Sequence, residues 1–155
     1  MIEIKQKHLI HTVLGHSYLF FVLFFAVGIV LDKIIPIPFQ NTVVEYIGVG
    51  LVLVGTALAF WAQTAAYRSS EDRHQQERDE NVFARGPYRL TRFPTQIAIF
   101  LLNFGFGLAT DLLWVSLFSI VALVFNYIFF AKKQSDILEK RYGESYKTYR
   151  SKVRF

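Results

Sequence analysis

The apolar residues of this chain fall in long blocks, without the alternation of polar positions that marks a half-buried core. A helix that crosses a bilayer needs about 20 mainly apolar residues. The first block covers 13–35, with Asp32 and Lys33 at its outer end, and Pro36 and Pro38 force a turn after it. The second covers 42–66 and carries Gly48, Gly50 and Gly55, small positions where another helix can approach closely. The third covers 94–109 and starts on Pro94, a favoured first residue of a helix. The fourth covers 112–131, and only Thr110 and Asp111 separate it from the third, which predicts a tight hairpin. The expected fold class is therefore all-α: an integral membrane bundle of about four transmembrane helices, one domain over 1–155.

Charge gives this bundle a direction. Of the 17 Lys and Arg residues, 16 fall in the N-terminal arm, the 67–93 loop or the 132–155 tail, and Lys33 alone falls elsewhere. Basic residues collect on the cytosolic side of membrane proteins. Both termini, the middle loop and the tail are thus expected in the cytosol. Arg68/Asp72 and Arg73/Glu77 are spaced four apart, which predicts that the second helix continues beyond its apolar block. In the tail, Tyr142, Tyr146, Tyr149 and Val153 recur at helical spacing among Lys147, Arg150, Lys152 and Arg154. That pattern predicts an amphipathic helical segment lying at the cytosolic interface.

Composition narrows the chemistry. The chain is 53% hydrophobic, and its mean hydropathy of +0.32 fits apolar spans joined by strongly polar segments. It has no Cys, so disulfides, thiolate metal sites and cysteine nucleophiles are excluded. Four His without HxxxH or HExxH spacing argue against a metal. The net charge of +5 has no nucleic-acid motif beside it, so no nucleic-acid partner is expected. The first block lacks a small-x-small cleavage site, so it reads as a retained helix. The partners expected are the lipid bilayer and a lipophilic substrate; the composition does not specify an oligomeric state.

The segment 81–98, NVFARGPYRLTRFPTQIA, is where chemistry concentrates. Gly86-Pro87 signals a turn, and Arg85, Arg89 and Arg92 precede the helix that starts on Pro94. Arginines before a helix N-terminus either anchor that helix at the interface or form an anion site. The run GPYR-LTR-FP resembles the GPYRxxRHPxY signature of the isoprenylcysteine carboxyl methyltransferase and phospholipid N-methyltransferase superfamily. The tail YGESYKTYRSKVRF resembles its C-terminal FGxxYxxYxxxVxR pattern, and Trp61-Ala62 fits loosely. The resemblance covers about the last two-thirds of the chain. It implies a membrane methyltransferase whose S-adenosylmethionine lies in a cytosol-facing pocket, with a lipophilic acceptor entering from the bilayer. It implies a cofactor site made by Gly86, Pro87, Tyr88, Arg89, Phe93, Pro94, Gln96 and Gln134, with Arg92 as the catalytic residue.

The chain departs from that pattern in the site itself. Phe93 replaces His, Gln96 replaces Tyr, and Ala98 replaces Gly. Gln134 and Ser135 stand where the family has two Glu, which removes a carboxylate partner for the cofactor's amine. These departures motivate a second expectation: a member that no longer catalyses and acts as a lipid- or protein-binding module. A sterol-type reductase is a third, for which no nicotinamide-binding pattern is readable. Gln63, Asn103 and Asn126 are expected to make interhelical hydrogen bonds, and Phe20, Phe21, Phe24 and Phe25 to face lipid.

Overall fold

The computed structural model describes residues 2–38, 41–71, 86–89, 91, 93–131, 135–136, 139 and 151, with side chains from residue 15 onward except at 66–71, 88, 130 and 131. Among the described residues the chain forms four α-helices: α1 (Ile2–Ile34), α2 (Thr42–Glu71), α3 (Pro94–Ala109) and α4 (Leu113–Asn126). A 3-10 turn, Gly86–Arg89, precedes α3, and α4 runs on into a π-helical turn, Tyr127–Ala131. The fold is all-α. Most of the tail expected to form an amphipathic helix lies outside the described residues.

Local chemistry explains the ends of these helices. Asn41 accepts from the Val43 and Val44 amides at 3.0 and 3.4 Å, an N-cap that starts α2. Pro94 stands at the first position of α3, as its lack of an N–H favours. Asp111 adopts φ 58° between α3 and α4, and the Leu112 amide donates back to the Gly107 carbonyl at 2.9 Å. That is a Schellman closure, with Asp in the left-handed position it tolerates. Trp114 Nε1 donates to the Ile35 carbonyl at 2.8 Å, so α4 caps an orphan carbonyl beyond α1. The α2 helix continues past its apolar block to Glu71; Asp72, Arg73 and Glu77, whose spacing predicts a longer continuation, lie outside the described residues.

Successive helices run antiparallel. The α3–α4 hairpin is central, with α2 packed mainly on α3 and α1 mainly on α4. Glycine sets the closest approaches. A Cβ built on Gly48 falls 2.7 Å from the Gly105 carbonyl and closer still to the Ala109 nitrogen; one on Gly105 falls 2.7 Å from the Gly48 carbonyl. Gly28 meets the Val115 backbone in the same way, at 2.7 Å from its Cα. Gly55 lies against Ala98, Leu101 and Leu102. Gly50 does not follow: nothing lies within 4 Å of a Cβ there, because it sits on the α2 face turned away from α3.

The phenylalanines of α1 also differ from expectation. Phe21 is buried, Phe20 and Phe24 stack near Phe125 and Phe118, and Phe25 meets Phe106 at 5.4 Å. Ser17, Phe21, Gly28 and Asp32 form the buried stripe of α1, at spacings of four, seven and four. That stripe turns its flanking phenylalanines onto α3 and α4 instead of lipid. Asp32 is buried with it, and its Oδ2 has no hydrogen-bond partner among the described residues.

By length and composition, Gly15–Ile34 and Thr42–Ala65 suffice to cross a membrane. The helices Pro94–Ala109 and Leu113–Phe129 are apolar but shorter. At about 1.5 Å per residue, the 16 residues of α3 reach less far than the hydrocarbon core. They are flanked by α2 and α4, which lie against α3 along its length.

The glycine contacts yield a paired prediction. Gly48→Val overpacks the α2–α3 contact and lowers stability by about 1–3 kcal/mol. Gly50→Ala leaves stability unchanged or raises it by up to about 1 kcal/mol through helix propensity. Chemical unfolding in detergent, followed by helical circular dichroism, distinguishes the two.

Candidate functional site

One end of the bundle gathers the start of α3, the α2 turns around Trp61 and Ala65, the end of α4 and the middle of α1 at Ser17 and Tyr18. The Gly86–Arg89 turn lies there against α2. Gly86 has φ +64°, a conformation that glycine adopts without the cost a side chain would bring. A Cβ at Gly86 would sit 2.8 Å from Ala65 Cβ and 3.6 Å from Trp61 Nε1. The turn is closed by the Thr91 amide, which donates to the Pro87 carbonyl at 3.2 Å. Phe93 is the N-cap of α3 and offers no side-chain acceptor; its carbonyl takes the Gln96 and Ile97 amides at 3.1 and 3.2 Å.

The expected site residues separate into distinct places. Pro87 and Pro94 are fully buried and shape the chain on either side of the turn. Gly86 and Phe93 are half-buried, and Arg89 is exposed. Tyr88 belongs to the same turn. Among the described candidates, Arg89 alone presents a charged side chain to the surface beside the start of α3. Arg92 and Gln134 lie outside the described residues. Ser135, which follows Gln134, is buried.

Gln96 points into the bundle. Its Nε2 donates to Ser17 Oγ at 3.1 Å, Ser17 Oγ donates to Asn126 Oδ1, and Asn126 Nδ2 donates to the Ala122 carbonyl at 2.9 Å. The three side chains are 5%, 1% and 0% exposed, so the chain of hydrogen bonds is sealed from solvent. Beside it, the Thr95 side chain lies next to the Tyr18 hydroxyl. Buried polar groups cost about 1–3 kcal/mol each when left unpaired, and here they are paired across α1, α3 and α4. Asn126 thus makes the interhelical bond expected of it, whereas Gln63 is exposed and Asn103 half-buried.

Ser17, Tyr18 and Thr95 were absent from the expected site. The available signal was a Ser-Tyr pair inside an otherwise apolar block, which is costly there without partners.

A family model described as phospholipid methyltransferase matches residues 44–145, well over half of the chain. No curated protein and no solved structure matches. The matched residues include α2, the Gly86–Arg89 turn, α3 and α4; they leave out α1.

The geometry of the turn predicts that Gly86→Ala costs about 1–3 kcal/mol, from the left-handed backbone and the contact with Ala65. Arg89→Ala, at an exposed position, changes stability by less than about 0.5 kcal/mol. Unfolding of both variants in detergent measures the difference.

Proposed function

The chain belongs to the phospholipid methyltransferase family, within the superfamily shared with the isoprenylcysteine carboxyl methyltransferases, and from that premise we propose that it is a membrane-embedded, S-adenosylmethionine-dependent methyltransferase. Its acceptor in this reading is lipophilic, an isoprenylcysteine-like carboxylate or a lipid amine. The observation that carries the reading is that the family match covers α2 from residue 44 onward, the turn, α3 and α4.

The donor set beside α3 suits the anionic end of the cofactor. Arg89 is exposed there and can pair with a carboxylate. The first turn of α3 has no side-chain cap, so its N–H end favours negative charge. S-adenosylmethionine, when bound, supplies a methyl group on a sulfonium. Arg92 orients the cofactor or an acidic acceptor, and the aromatic face of Tyr88 holds a cation. Pro87, Pro94 and Gln96 are buried and act by holding the turn and the start of α3 in place, with Gly86 and Phe93 half-buried beside them. Methyl transfer is an in-line displacement, so holding the partners in line and excluding water supply the catalysis.

The same reading places four crossings in the membrane with both termini and the tail in the cytosol. The antiparallel order of four helices supports an even number of crossings. Because the chain has no Cys, single introduced cysteines report sidedness cleanly. A membrane-impermeant maleimide labels Lys33→Cys in intact cells and labels Lys152→Cys only after permeabilisation. The reverse pattern contradicts the orientation.

A second reading is favoured by specific residues: Phe93, Gln134 and Ser135 stand where the family pattern has His and two Glu, and Gln96 is spent inside the bundle. In it the chain is a non-catalytic lipid- or protein-binding module. Calorimetry in detergent separates the two. The methyltransferase reading predicts S-adenosylmethionine binding by the folded wild type, weakened about tenfold or more in Arg89→Ala, as for a charge-assisted hydrogen bond. Binding that is absent in wild type and appears in a Phe93→His, Gln134→Glu, Ser135→Glu variant supports the second reading.

A further inference from the structure

We propose that α1, which lies outside the family-matched residues, completes the site, with Ser17, Tyr18 and Asn126 as positioning residues that fix the first turn of α3; the proposal rests on the methyltransferase reading for what that turn positions. Consecutive residues of α1 reach consecutive residues of α3: Ser17 accepts from Gln96 at 3.1 Å, and Tyr18 lies beside Thr95. This is an unusual place to spend polar groups, because α1 packs chiefly on α4 and its contact with α3 is small. Apolar side chains would pack there without the desolvation cost of three sealed polar groups.

What the bonds do follows from what α3 lacks. Its N-terminus has no side-chain cap, so the Phe93 carbonyl, which takes the Gln96 and Ile97 amides, is all that its own cap residue offers the first turn. The chain passes from Pro87 through Thr91 and Phe93 into that turn, and backbone bonds at Thr91, Gln96 and Ile97 link the segments. Holding Thr95 and Gln96 from α1 therefore fixes where the Gly86–Arg89 turn leaves α2 and meets α3. Asn126 extends the hold to α4 at the residue just before the π-helical turn. The start of α3 and the end of α4 are thereby kept at one level of the bundle, facing Arg89's end.

The test uses the full chain in detergent and two readouts. Amide hydrogen exchange at residues 95–97 is compared for wild type, Ser17→Ala, Tyr18→Phe and Ser17→Thr. Calorimetry measures S-adenosylmethionine affinity in the same samples. The proposal predicts faster exchange at residues 95–97 in Ser17→Ala and Tyr18→Phe, with exchange around Gly48 and Gly105 unchanged. It predicts cofactor binding weakened about threefold to tenfold, the range expected of interhelical hydrogen bonds in membranes. Ser17→Thr, which keeps the hydroxyl, stays within about twofold of wild type. Unchanged exchange at residues 95–97, or an increase spread evenly over all helices, overturns the proposal. So does faster local exchange with undiminished cofactor affinity. If wild type binds no cofactor, the methyltransferase reading falls, while exchange still decides whether α1 holds α3.

Discussion

At Gly48 and Gly105 the backbones of α2 and α3 touch, each glycine lying against the other's carbonyl. No side chain fits between them, so the separation and rotation of the two helices are set by backbone contact. Lipid tails are as apolar as the residues they would replace, so burial of apolar surface does little to drive helices together in a bilayer. Close packing at small residues does that instead. The contact has a geometric consequence: it fixes the later turns of α2, at Trp61 and Ala65, relative to the start of α3. The Gly86–Arg89 turn lies in that space.

The rest of the bundle follows from the same economy. The α3–α4 hairpin closes through a left-handed Asp111, and Ser116 Oγ donates to the Phe104 carbonyl at 3.2 Å across it. Gly28 admits Val115 and brings α1 onto α4. Hydroxyls with no role between helices turn back on their own backbone, as Thr56 and Thr64 do to Val52 and Phe60. Against that background the Ser17–Gln96–Asn126 chain is distinct, because its side chains pair with one another between helices. It lies at the end of the bundle where the turn is, and Trp114 ties α1 to α4 at the other.

The helices were legible in the sequence because their signals are local. Block length, the proline at 94 and the two-residue turn at Thr110-Asp111 each act within a few residues. Which face of a helix meets a neighbour was less legible, because nearly every face is apolar. Gly48 and Gly50 look alike in the chain, yet one touches α3 and the other touches nothing. The α1 phenylalanines read as lipid-facing for the same reason. In the site, the signature located the turn and the start of α3. It could not show that Gln96 is turned inward, since its partner Ser17 is 79 residues away in sequence. Arg92 and Gln134 lie outside the described residues.

The central claim is that the bundle end holding Arg89 and the start of α3 binds the methyl donor. Direct ultraviolet cross-linking of radiolabelled S-adenosylmethionine to the full chain, with mapping of the labelled peptide, tests it most directly. The account predicts label in the peptide that runs from Gly86 into α3, competed away by unlabelled cofactor. Label confined to other segments, or equal with and without competitor, contradicts it.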